Sequence, residues 1–465
     1  MTIQRDPASF RDPSGGVFYA DSRVYRYFRD ESASTFRALL SSDFYASQVA
    51  AGALIESTPI ERAQAPALYD GLGEADLVVE HPRLPLVSYP YEWPFEMLKA
   101  AAAQQLALTS EALDHGYLVK DATPFNTQFI GTRPTFIDVA SIEPYVEGAV
   151  WTAYSQFCSL FLNPLILQSV RGIAFQPWLR ASLEGIPVAD LRRLLPLRSK
   201  LRKGIFLDVV LQDWFNSRFA ASDKAVAAIS KSSIAKTAVA GQLRRMAGQV
   251  SGLKRRKGTT AWSEYETTKS HYTAAADRFK EELVRAKVTA ARPDVLIDLG
   301  CNRGQFSLIA AAAAQLVIAV DGDEASVGAL YERAAGSVTN LLPLVVDLLN
   351  PSPSQGWGGV ERAAFFERAR PDYFLCLALV HHLAISGNVS LAMIADWLAA
   401  VAPAGIVEFV PKEDSMVQRL LATRKDVYPA YTQPEFEASL ERRFRIEERA
   451  PLAESPRCLY VLGPK

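Results

Sequence analysis

The sequence predicts an α/β protein whose C-terminal part is a doubly wound, mainly parallel sheet, with at least one further domain before it. Three observations support this fold class. A strand, a glycine turn, a helix and a second strand follow one another in residues 295–324. Further apolar runs continue this pattern towards the end of the chain, and a strongly basic segment precedes it. The 465 residues suffice for two or more domains, each with its own core.

The composition is that of an ordinary globular protein, with 49% hydrophobic and 22% charged residues. The four cysteines form no CxxC pair, so neither a zinc site nor a disulfide framework is suggested. The N-terminus shows no apolar core of a signal peptide, and no uncharged apolar stretch is long enough to span a bilayer. We expect a cytoplasmic protein, and the basic segment leaves peripheral membrane association open.

The glycine turn excludes one class of nucleotide. Val295 to Leu299 predicts a buried strand, Gly304 begins a helix through SLIAAAAA, and Leu316 to Val320 predicts a second strand. The dinucleotide fingerprint G-x-G-x-x-G needs a second glycine close to the pyrophosphate. This loop has Asn302 in that place. A diphosphate ligand is therefore disfavoured.

Two acids flank the turn. Asp298 lies two residues before the first glycine, and Asp321 ends the second strand. Asp298 can join a hydrogen-bond network to an amino-acid amine, and a glycine allows the ligand to approach closely. Asp321 can accept hydrogen bonds from both hydroxyls of a ribose. A phosphate-free ligand with an amine and a ribose is S-adenosylmethionine.

Residues 261–465 resemble the class I S-adenosylmethionine-dependent methyltransferases. DLGCNRG resembles their glycine-rich first motif, with asparagine at the middle glycine, and IAVDGDE resembles the strand with the ribose-binding acid. LVVDLLNPSP is placed like the motif that meets the adenine, and DYFLCLALVHHLAI like the strand and loop that face the methyl group. The resemblance implies a Rossmann-like sheet and the following cofactor-binding residues: Asp298, Gly300, Asn302, Gly304, Gln305, Phe306, Asp321, Gly322, Asp347, Leu348 and Leu377.

The remaining strands complete the sheet. GIVEFV, Gly405 to Val410, predicts a fifth strand, and FRIEER and RCLYVLG predict final antiparallel strands. Ligands of open α/β sheets bind at the carboxyl ends of the strands. The polar residues expected at or near such ends are Asp298, Asp321, Asp347, His381 and Glu408.

A base would help methyl transfer to an alcohol or phenol, because the acceptor must lose a proton. His381 and His382 follow the fourth strand, and we predict that one of them, preferably His381, is this base or contacts the acceptor. Glu408 is predicted to orient the histidine or the acceptor. The alternatives are a histidine that only packs and a solvated acid at a strand end. Glu413 and Asp414 are expected to be exposed, and a metal site of the two histidines and Glu408 is not expected, because adjacent side chains on an extended segment point apart.

The stretch SEYETTKSHYTAAADRFKEELV, before the first strand, predicts an amphipathic helix. The methyltransferase resemblance implies that this helix closes over the cofactor, with Tyr265 or Tyr272 in contact with it. The alternative is that these tyrosines attach the helix to the sheet.

A second resemblance lies in the first half. D-x-x-P-x-N, Asp121 to Asn126, is followed by Ile137-Asp138. This pattern resembles the catalytic loop and metal-binding aspartate of protein kinases and aminoglycoside phosphotransferases, over roughly residues 14–195. It implies an α+β kinase-like domain that binds Mg-ATP, with Asp121 as the base and Asn126 and Asp138 as magnesium ligands.

The first half also departs from the kinase pattern. No histidine precedes Asp121, no Phe-Gly follows Asp138, and no G-x-G-x-x-G loop is present. SGGVFYADSRVYRYF predicts a hairpin with a basic residue at Arg23 or Arg26. The alternative is a turn of aspartate, proline and asparagine that fits by chance.

Residues 191–257 carry sixteen Lys/Arg and three Asp, a net charge of +13, which leaves −14 for the rest. Basic and apolar residues mix there at helical spacing, so the segment can lie on an anionic surface such as phospholipid, charged glycan or nucleic acid. Nucleic acid is disfavoured, because aromatic residues are not interleaved with the charge. The alternative is a solvated helical linker. The predicted domains are a kinase-like domain at 1–195, a basic helical linker at 196–260 and a methyltransferase domain at 261–465.

Across its length the chain also resembles bacterial proteins related to the nodulation protein NoeA, some of which are linked to carbohydrate decoration. We therefore expect a methyltransferase acting on a small-molecule or glycan acceptor, by O-methylation, with the kinase-like domain in an accessory or substrate-binding role. Two alternatives stay open. One is a bifunctional kinase-methyltransferase that modifies the end of a polysaccharide or lipid-linked glycan. The other is a non-catalytic scaffold that binds the cofactor or ATP.

Overall fold

The chain forms two compact units. The computed structural model describes residues 2–219, 234–256, 274–422 and 427–465. Of these, the first unit contains residues 2–129, 134–219, 234–256 and 354–363. The second unit contains residues 130–133, 274–353, 364–422 and 427–465. The chain thus leaves the second unit after residue 353, contributes ten residues to the first, and returns at residue 364.

The first unit contains one larger antiparallel sheet and two small ones. Its strands are β1 (Ile3–Arg5), β2 (Gly15–Ala20), β3 (Arg23–Phe28), β4 (Thr58–Ile60), β5 (Leu77–His81), β6 (Tyr117–Val119), β7 (Thr127–Ile130), β8 (Arg133–Phe136) and β9 (Ile142–Pro144). The larger sheet has the order β1-β2-β3-β5-β4, and β6 pairs with β9 and β7 with β8. The predicted hairpin is confirmed as β2–β3, which turns at Asp21 and Ser22 with φ angles of 47° and 69°.

Helices make up most of the rest of the first unit. They are α1 (Asp30–Leu40), α2 (Asp43–Ala50), α3 (Phe95–Asp114), α4 (Tyr154–Phe157), α5 (Asn163–Arg171), α6 (Gln176–Ala181), α7 (Val188–Leu194), α8 (Leu197–Lys200), α9 (Lys203–Ile205), α10 (Gln212–Phe219) and α11 (Lys236–Gly252). The π-helical turns Cys158–Leu162 and Phe206–Leu211 join α4 to α5 and α9 to α10. Sheet and helices together give the α+β composition expected from the kinase resemblance.

The predicted linker at 196–260 is part of the first unit wherever the structure describes it. Helix α11 packs against α3. Its buried residues recur at helical spacing: Val239, Leu243, Met246 and Val250. This apolar stripe needs a core to cover it, and the contact with α3 provides one.

The second unit is built on one seven-stranded sheet. Its strands are β10 (Val295–Leu299), β11 (Leu316–Asp321), β12 (Leu341–Val345), β13 (Tyr373–Cys376), β14 (Ala404–Phe409), β15 (Phe444–Pro451) and β16 (Cys458–Pro464). The order is β12-β11-β10-β13-β14-β16-β15, with β10 to β14 mutually parallel and β16 antiparallel to both of its neighbours. The strands predicted at 295–299, 316–320 and 405–410 form within one residue of those bounds, and the final antiparallel pair is confirmed. The doubly wound α/β class of this part is therefore confirmed.

Helices connect these strands. They are α12 (Ala274–Ala291), α13 (Gln305–Ala310), α14 (Glu324–Ala334), α15 (Phe365–Ala369), α16 (Leu391–Val401), α17 (Ser415–Leu421) and α18 (Gln433–Glu441). The helix predicted to run through SLIAAAAA ends at Ala310, because the following alanines turn the chain towards β11. Tyr265 and Tyr272 lie outside the described residues.

No helix among the described residues combines the length and the apolar character that crossing a membrane requires.

Candidate active site

The turn after β10 holds three left-handed residues within five positions. The φ angle is 78° at Gly300, 49° at Asn302 and 72° at Gly304. Asparagine tolerates this region better than most residues, which explains how the turn forms without a middle glycine. The amides of Gly300 and Cys301 both donate to the carbonyl oxygen of Val320, each at 2.9 Å. The turn is thereby fastened to β11, beside the point where the strand order reverses between β10 and β13.

Asp298, on β10, is a buried carboxylate. Its Oδ2 accepts a hydrogen bond from Ser307 Oγ at 2.5 Å. Burial raises the pKa of Asp298 to about 6; the hydrogen bond from Ser307 lowers this pKa, the charge of Asp321 raises it, and the charge of Lys280 lowers it. Among the described residues Asp298 forms no ion pair. A carboxylate held in this way favours a cation supplied by a ligand.

Asp321, the last residue of β11, is oriented by two backbone amides. Asn302 N–H donates to its Oδ2 at 2.9 Å, and Asp323 N–H donates to its Oδ1 at 2.8 Å. Burial raises the pKa of Asp321, and the backbone hydrogen bonds oppose this rise. Each carboxylate oxygen keeps a lone pair for a further donor, so the group can bind a diol. A Cβ on the adjacent Gly322 would have Val346 O, at 3.9 Å, as its nearest neighbour, which leaves space beside Asp321.

The next predicted residues lie where the turn enters α13. A Cβ on Gly304 would overlap the side chain of Leu330, so packing of α13 against α14 by itself explains this glycine. Gln305 is exposed, and its side-chain amide donates to Glu281 at 2.7 Å. Phe306 is half-buried and packs on the hydrophobic core beside the sheet.

The remaining cofactor predictions follow β12 and β13. Asp347 is exposed, and its Oδ1 accepts a hydrogen bond from the amide of Leu349 at 3.0 Å. Leu348 is half-buried, and Leu377 is buried directly after β13. Asp347 therefore presents a carboxylate to solvent, whereas Leu377 presents an apolar surface.

The strand order places the predicted polar residues at one edge of the sheet. Strands β12, β11, β10, β13 and β14 are parallel neighbours, so their carboxyl ends lie side by side. The residues at or just beyond these ends are Asp347, Asp321, Asp298, His381 and Glu408. Their binding and catalytic roles stay predictions.

His381 and His382 lie just beyond β13, with 4.1 Å between their ring centroids. His381 is buried, and neither of its ring nitrogens has a hydrogen-bond partner among the residues that the structure describes. Burial lowers the pKa of His381 well below its usual range, and His382, Arg457 and Lys280 lower it further. Burial also lowers the pKa of His382 to about 4. Both rings are therefore neutral at pH 7, and His381 has two nitrogens available to a ligand.

Glu408 lies at the centre of a buried charge network with two cations and two anions. Lys280 Nζ donates to Glu408 Oε2 at 2.5 Å, and Arg457 Nη1 lies 3.5 Å from Glu408 Oε1. Arg457 also donates to both oxygens of Asp414, at 2.7 and 3.0 Å. Glu408 therefore forms no hydrogen bond with His381, and it is not a solvated acid. Asp414, expected to be exposed, is buried because Arg457 neutralises it, and the neighbouring Glu413 is exposed.

Lys280 and Arg457 are absent from the sequence-based prediction of the site. Lys280 lies on the buried face of α12, between Ala276 and Val284 at a spacing of four residues. A lysine on the apolar face of an amphipathic helix is a signal that sequence inspection can find. Arg457 directly precedes β16 and has no comparable signal. Among the described residues, no three His, Cys, Asp or Glu side chains are grouped so as to hold a metal ion.

The kinase-like residues are brought together in the first unit. Asp138 accepts a hydrogen bond from Asn126 Nδ2 at 3.1 Å and from Arg26 Nη1 at 2.7 Å. Burial raises the pKa of Asp121, and the charge of Asp138 raises it further. Arg26 is therefore the basic residue of β3 that reaches this cluster, whereas the side chain of Arg23 is largely exposed.

This cluster does not fit Mg-ATP. The guanidinium of Arg26 already lies 2.7 Å from Asp138 Oδ1, so a metal ion bound to this carboxylate would be repelled by a neighbouring positive charge. The connection between β1 and β2, residues 6–14, contains no glycine, and it brings Asp12 to 4.0 Å from Arg26. A triphosphate is held by glycine-loop amides and cations, and a second carboxylate repels it.

The glycines closest to this connection serve packing. A Cβ on Gly15 would overlap the carbonyl oxygen of Tyr27, and one on Gly16 would lie 2.8 Å from the ring of Tyr27. Both glycines therefore allow β2 and β3 to approach closely. The connection itself is tied down by Arg11, which forms an ion pair with Glu361 at 2.5 Å.

One relative matches nearly the whole chain. The chain is 39% identical to the nodulation protein NoeA of Rhizobium meliloti (strain 1021) over 461 residues, which cover 98% of this chain and 95% of that protein. Both units therefore have counterparts in that relative. No protein-family model matches the chain.

Several solved structures resemble less than half of the chain. The N-methyltransferase NodS of Bradyrhizobium japonicum WM9, in complex with S-adenosyl-L-homocysteine, is 10% identical, with a TM-score of 0.32 over 43% of this chain and 91% of its own. The magnesium protoporphyrin IX methyltransferase of Synechocystis PCC 6803 is 18% identical, with a TM-score of 0.31 over 45% of this chain and 90% of its own. The bifunctional kinase-methyltransferase WbdD is 18% identical, with a TM-score of 0.29 over 44% of this chain and 42% of its own. At these scores the fold assignment rests on the strand order alone.

Proposed function

The chain belongs to the family of the nodulation protein NoeA, and we propose that it is an S-adenosylmethionine-dependent methyltransferase that O-methylates a small-molecule or glycan acceptor. One observation carries this proposal. Among the described residues, two aspartates that form no ion pair, the buried Asp298 and the half-buried Asp321, flank a tight turn at the carboxyl edge of a doubly wound sheet. Such an edge is the binding face of this class of sheet, and unpaired carboxylates there favour a cationic nucleoside.

The residues around the turn fit S-adenosylmethionine. Bound there, this nucleoside would supply a methyl group on a sulfonium. Asp321 has both oxygens fixed by the amides of Asn302 and Asp323, so it is preorganised to accept the two ribose hydroxyls. The second oxygen of Asp298 would accept from the ammonium group, directly or through water, while Ser307 holds the first. Asp347, after β12, would bind the adenine amino group.

His381 is the residue that we assign to the acceptor. Its ring is buried and neutral, with two unpartnered nitrogens, so one of them can accept the proton of an acceptor hydroxyl. Burial, together with the charges of His382, Arg457 and Lys280, keeps the ring neutral. Glu408 and Asp414 form ion pairs with Lys280 and Arg457. His382 lies beside His381, with 4.1 Å between the ring centroids.

We assign an accessory or acceptor-binding role to the kinase-like unit. The contact between Asn126 and Asp138 supports the alternative of a bifunctional kinase-methyltransferase. The ion pair of Asp138 with Arg26 and the glycine-free connection between β1 and β2 oppose it. The accessory role therefore agrees better with the contacts of this cluster.

Calorimetric titration of the full-length protein with S-adenosylmethionine tests the proposal. We expect micromolar binding, weakened about 100-fold in Asp321→Ala and at least tenfold in Asp298→Ala, because each loses charge-assisted hydrogen bonds. The matched control is Asp396→Asn on α16, where the lost partner is Arg443 on the protein surface, and it should bind like the parent. Equal binding by the parent and both site variants would refute the proposal.

Turnover separates the three functions. Release of S-adenosylhomocysteine in a screen of glycan and small-molecule acceptors, without ATP, would support the methyltransferase. ATP consumption that Asp121→Asn abolishes would support the bifunctional enzyme. Binding of S-adenosylmethionine with no turnover of any acceptor, and equal binding by His381→Gln, would favour the scaffold.

A further inference from the structure

The segment that links α7 to α10 exposes leucines to solvent beside a cluster of positive charge. Leu197 is 79% exposed, Leu201 is 81% exposed and Phe206 is 44% exposed. Leu197 begins α8, and Leu201 follows it in the same right-handed helical conformation, so the two side chains lie one turn apart on the same face. We define residues 196–206 as the basic leucine surface.

The charges of this surface are not neutralised by any carboxylate that the structure describes. Residues 196–206 include no acid and four basic residues, Arg198, Lys200, Arg202 and Lys203. None of the four forms an ion pair with a described carboxylate. The basic residues just outside it behave differently, since Arg192 pairs with Asp213 at 2.6 Å. The surface therefore has a local net charge of +4 together with exposed aliphatic side chains.

The surface is held in place from beneath. Ile205 and Val209 are buried in the first unit. The buried Asp208 accepts from Tyr154 at 2.8 Å and pairs with Arg245 of α11 at 2.5 Å. The apolar exposure continues along the same helical run, with Trp214 and Phe215 more than 40% exposed. The segment thus has an anchored inner face and an apolar outer face rimmed by cations.

From these observations we propose that the basic leucine surface binds the headgroup region of a bilayer rich in anionic phospholipid. Exposed aliphatic side chains are stabilised when an apolar phase covers them, and cations are stabilised near an anionic headgroup layer. A bilayer surface provides both environments. A second copy of the chain would bring two surfaces of charge +4 together, which repels. A nucleic acid would satisfy the cations but leave the leucines in water. The proposal is independent of methyl transfer.

Vesicle co-sedimentation of the full-length protein tests this surface. The protein should sediment with vesicles containing about 30 mol% phosphatidylglycerol and stay in solution with pure phosphatidylcholine, with binding that weakens as salt rises. Leu197→Ser combined with Leu201→Ser should weaken partitioning about 30-fold, because two apolar anchors are lost. Arg202→Ser combined with Lys203→Ser should weaken it about tenfold at low salt.

Two double variants serve as matched controls. Val146→Ser with Met393→Ser removes exposed apolar side chains elsewhere, and Arg285→Ser with Arg419→Ser makes the same charge change elsewhere. Both should partition like the parent. The leucine and arginine variants should keep the parent's melting temperature, because the altered side chains are exposed.

Three outcomes would overturn the proposal. The first is no sedimentation with anionic vesicles at low salt. The second is parent-like sedimentation of the double leucine variant. The third is that the leucine substitutions abolish a dimer seen in light scattering, or a complex with a single-stranded oligonucleotide, but leave vesicle binding intact.

Discussion

The two units each bring aspartates together, but the aspartates are satisfied in different ways. At the carboxyl edge of the second unit, Asp298 and Asp321 accept hydrogen bonds from a serine hydroxyl and backbone amides and form no ion pair within the part of the chain that the structure describes. In the first unit, Asp138 is paired with the guanidinium of Arg26. In the first arrangement no described cation offsets the carboxylates, so a cationic ligand can do so, whereas in the second the guanidinium of Arg26 already offsets the charge of Asp138.

This difference teaches that the counter-ion, more than the aspartate itself, decides whether a cluster is poised to bind a cation. A buried carboxylate without a cation lowers the stability of the folded protein. A cationic ligand that binds to it relieves this penalty and so stabilises the folded state. A buried carboxylate with a cation is stable only as a pair, since removing one partner leaves the other buried and unpaired. Glu408, paired with Lys280, belongs to the second kind although it lies in the second unit. Replacing the carboxylate should therefore raise the free energy of unfolding in the first kind of site and lower it in the second.

The largest effect is expected at Glu408. Glu408→Gln should lower the free energy of unfolding by about 4 kcal/mol, because Lys280 and Arg457 would lose their shared anion in the protein interior. Urea denaturation followed by circular dichroism measures this. The control is Glu448→Gln, which breaks a half-exposed pair with Lys287 and should change stability by about 1 kcal/mol or less. If Glu408→Gln lost less free energy of unfolding than Glu448→Gln, the buried charge network would not stabilise the protein.

Neutralising Asp298 should instead raise the free energy of unfolding. Burial raises its pKa from 3.8 to about 6, so the folded state binds more protons than the unfolded state between these values. Stability therefore falls as pH rises through this window, and the whole penalty, about 3 kcal/mol, is present above pH 6. Asp298→Asn keeps an acceptor for Ser307 and should be more stable than the parent by about that amount at pH 8.

The gain of Asp298→Asn should disappear as the pH falls from 6 to 4, because the parent carboxyl becomes neutral. Urea denaturation at pH 8 and pH 4 measures both ends of the window. A variant less stable than the parent at pH 8, or a gain that does not change with pH, would break the comparison between the two units.

A smaller loss is expected at Arg26. Arg26→Met should lower the free energy of unfolding by about 2 kcal/mol, because Asp138 would keep only Asn126 as a partner. Arg23→Met on the same strand is the control, because its pair with Glu80 is largely exposed. Thermal unfolding with and without MnCl₂ sharpens the test. Stabilisation of Arg26→Met by the metal, and none of the parent, would show that the guanidinium occupies the place of a cation.

The smallest expected effect is the pH dependence of ligand affinity. A cationic nucleoside favours the ionised form of Asp298, so below pH 6 binding must displace a proton. Affinity for S-adenosylmethionine should fall about tenfold from pH 7 to pH 5. Calorimetry across this range, with Asp298→Asn as the pH-independent control, measures it. The same slope in parent and variant would assign the titration to another group.

Sequence alone determined the second unit's sheet. The runs at 295–299 and 316–320 are apolar except for Asp298, because parallel strands are covered on both faces, and they form strands at the predicted positions. The positive φ angles at Gly300 and Asn302 follow from residue types that tolerate them. Strand order then brings Asp298 and Asp321 to the same edge. These features are local or periodic, so a linear pattern contains them.

Only the tertiary structure decided which charges are paired. Lys280 and Glu408 are 128 residues apart in the chain, and Arg26 and Asp138 are 112 apart. No local pattern encodes such pairs, because their formation depends on how helices and strands pack. The same holds for Leu197 and Leu201, whose spacing suits a buried helix face as well as an exposed one. Burial and neutralisation are properties of the packed molecule. They distinguish a carboxylate that can bind a cationic ligand from one that stabilises the fold in an ion pair.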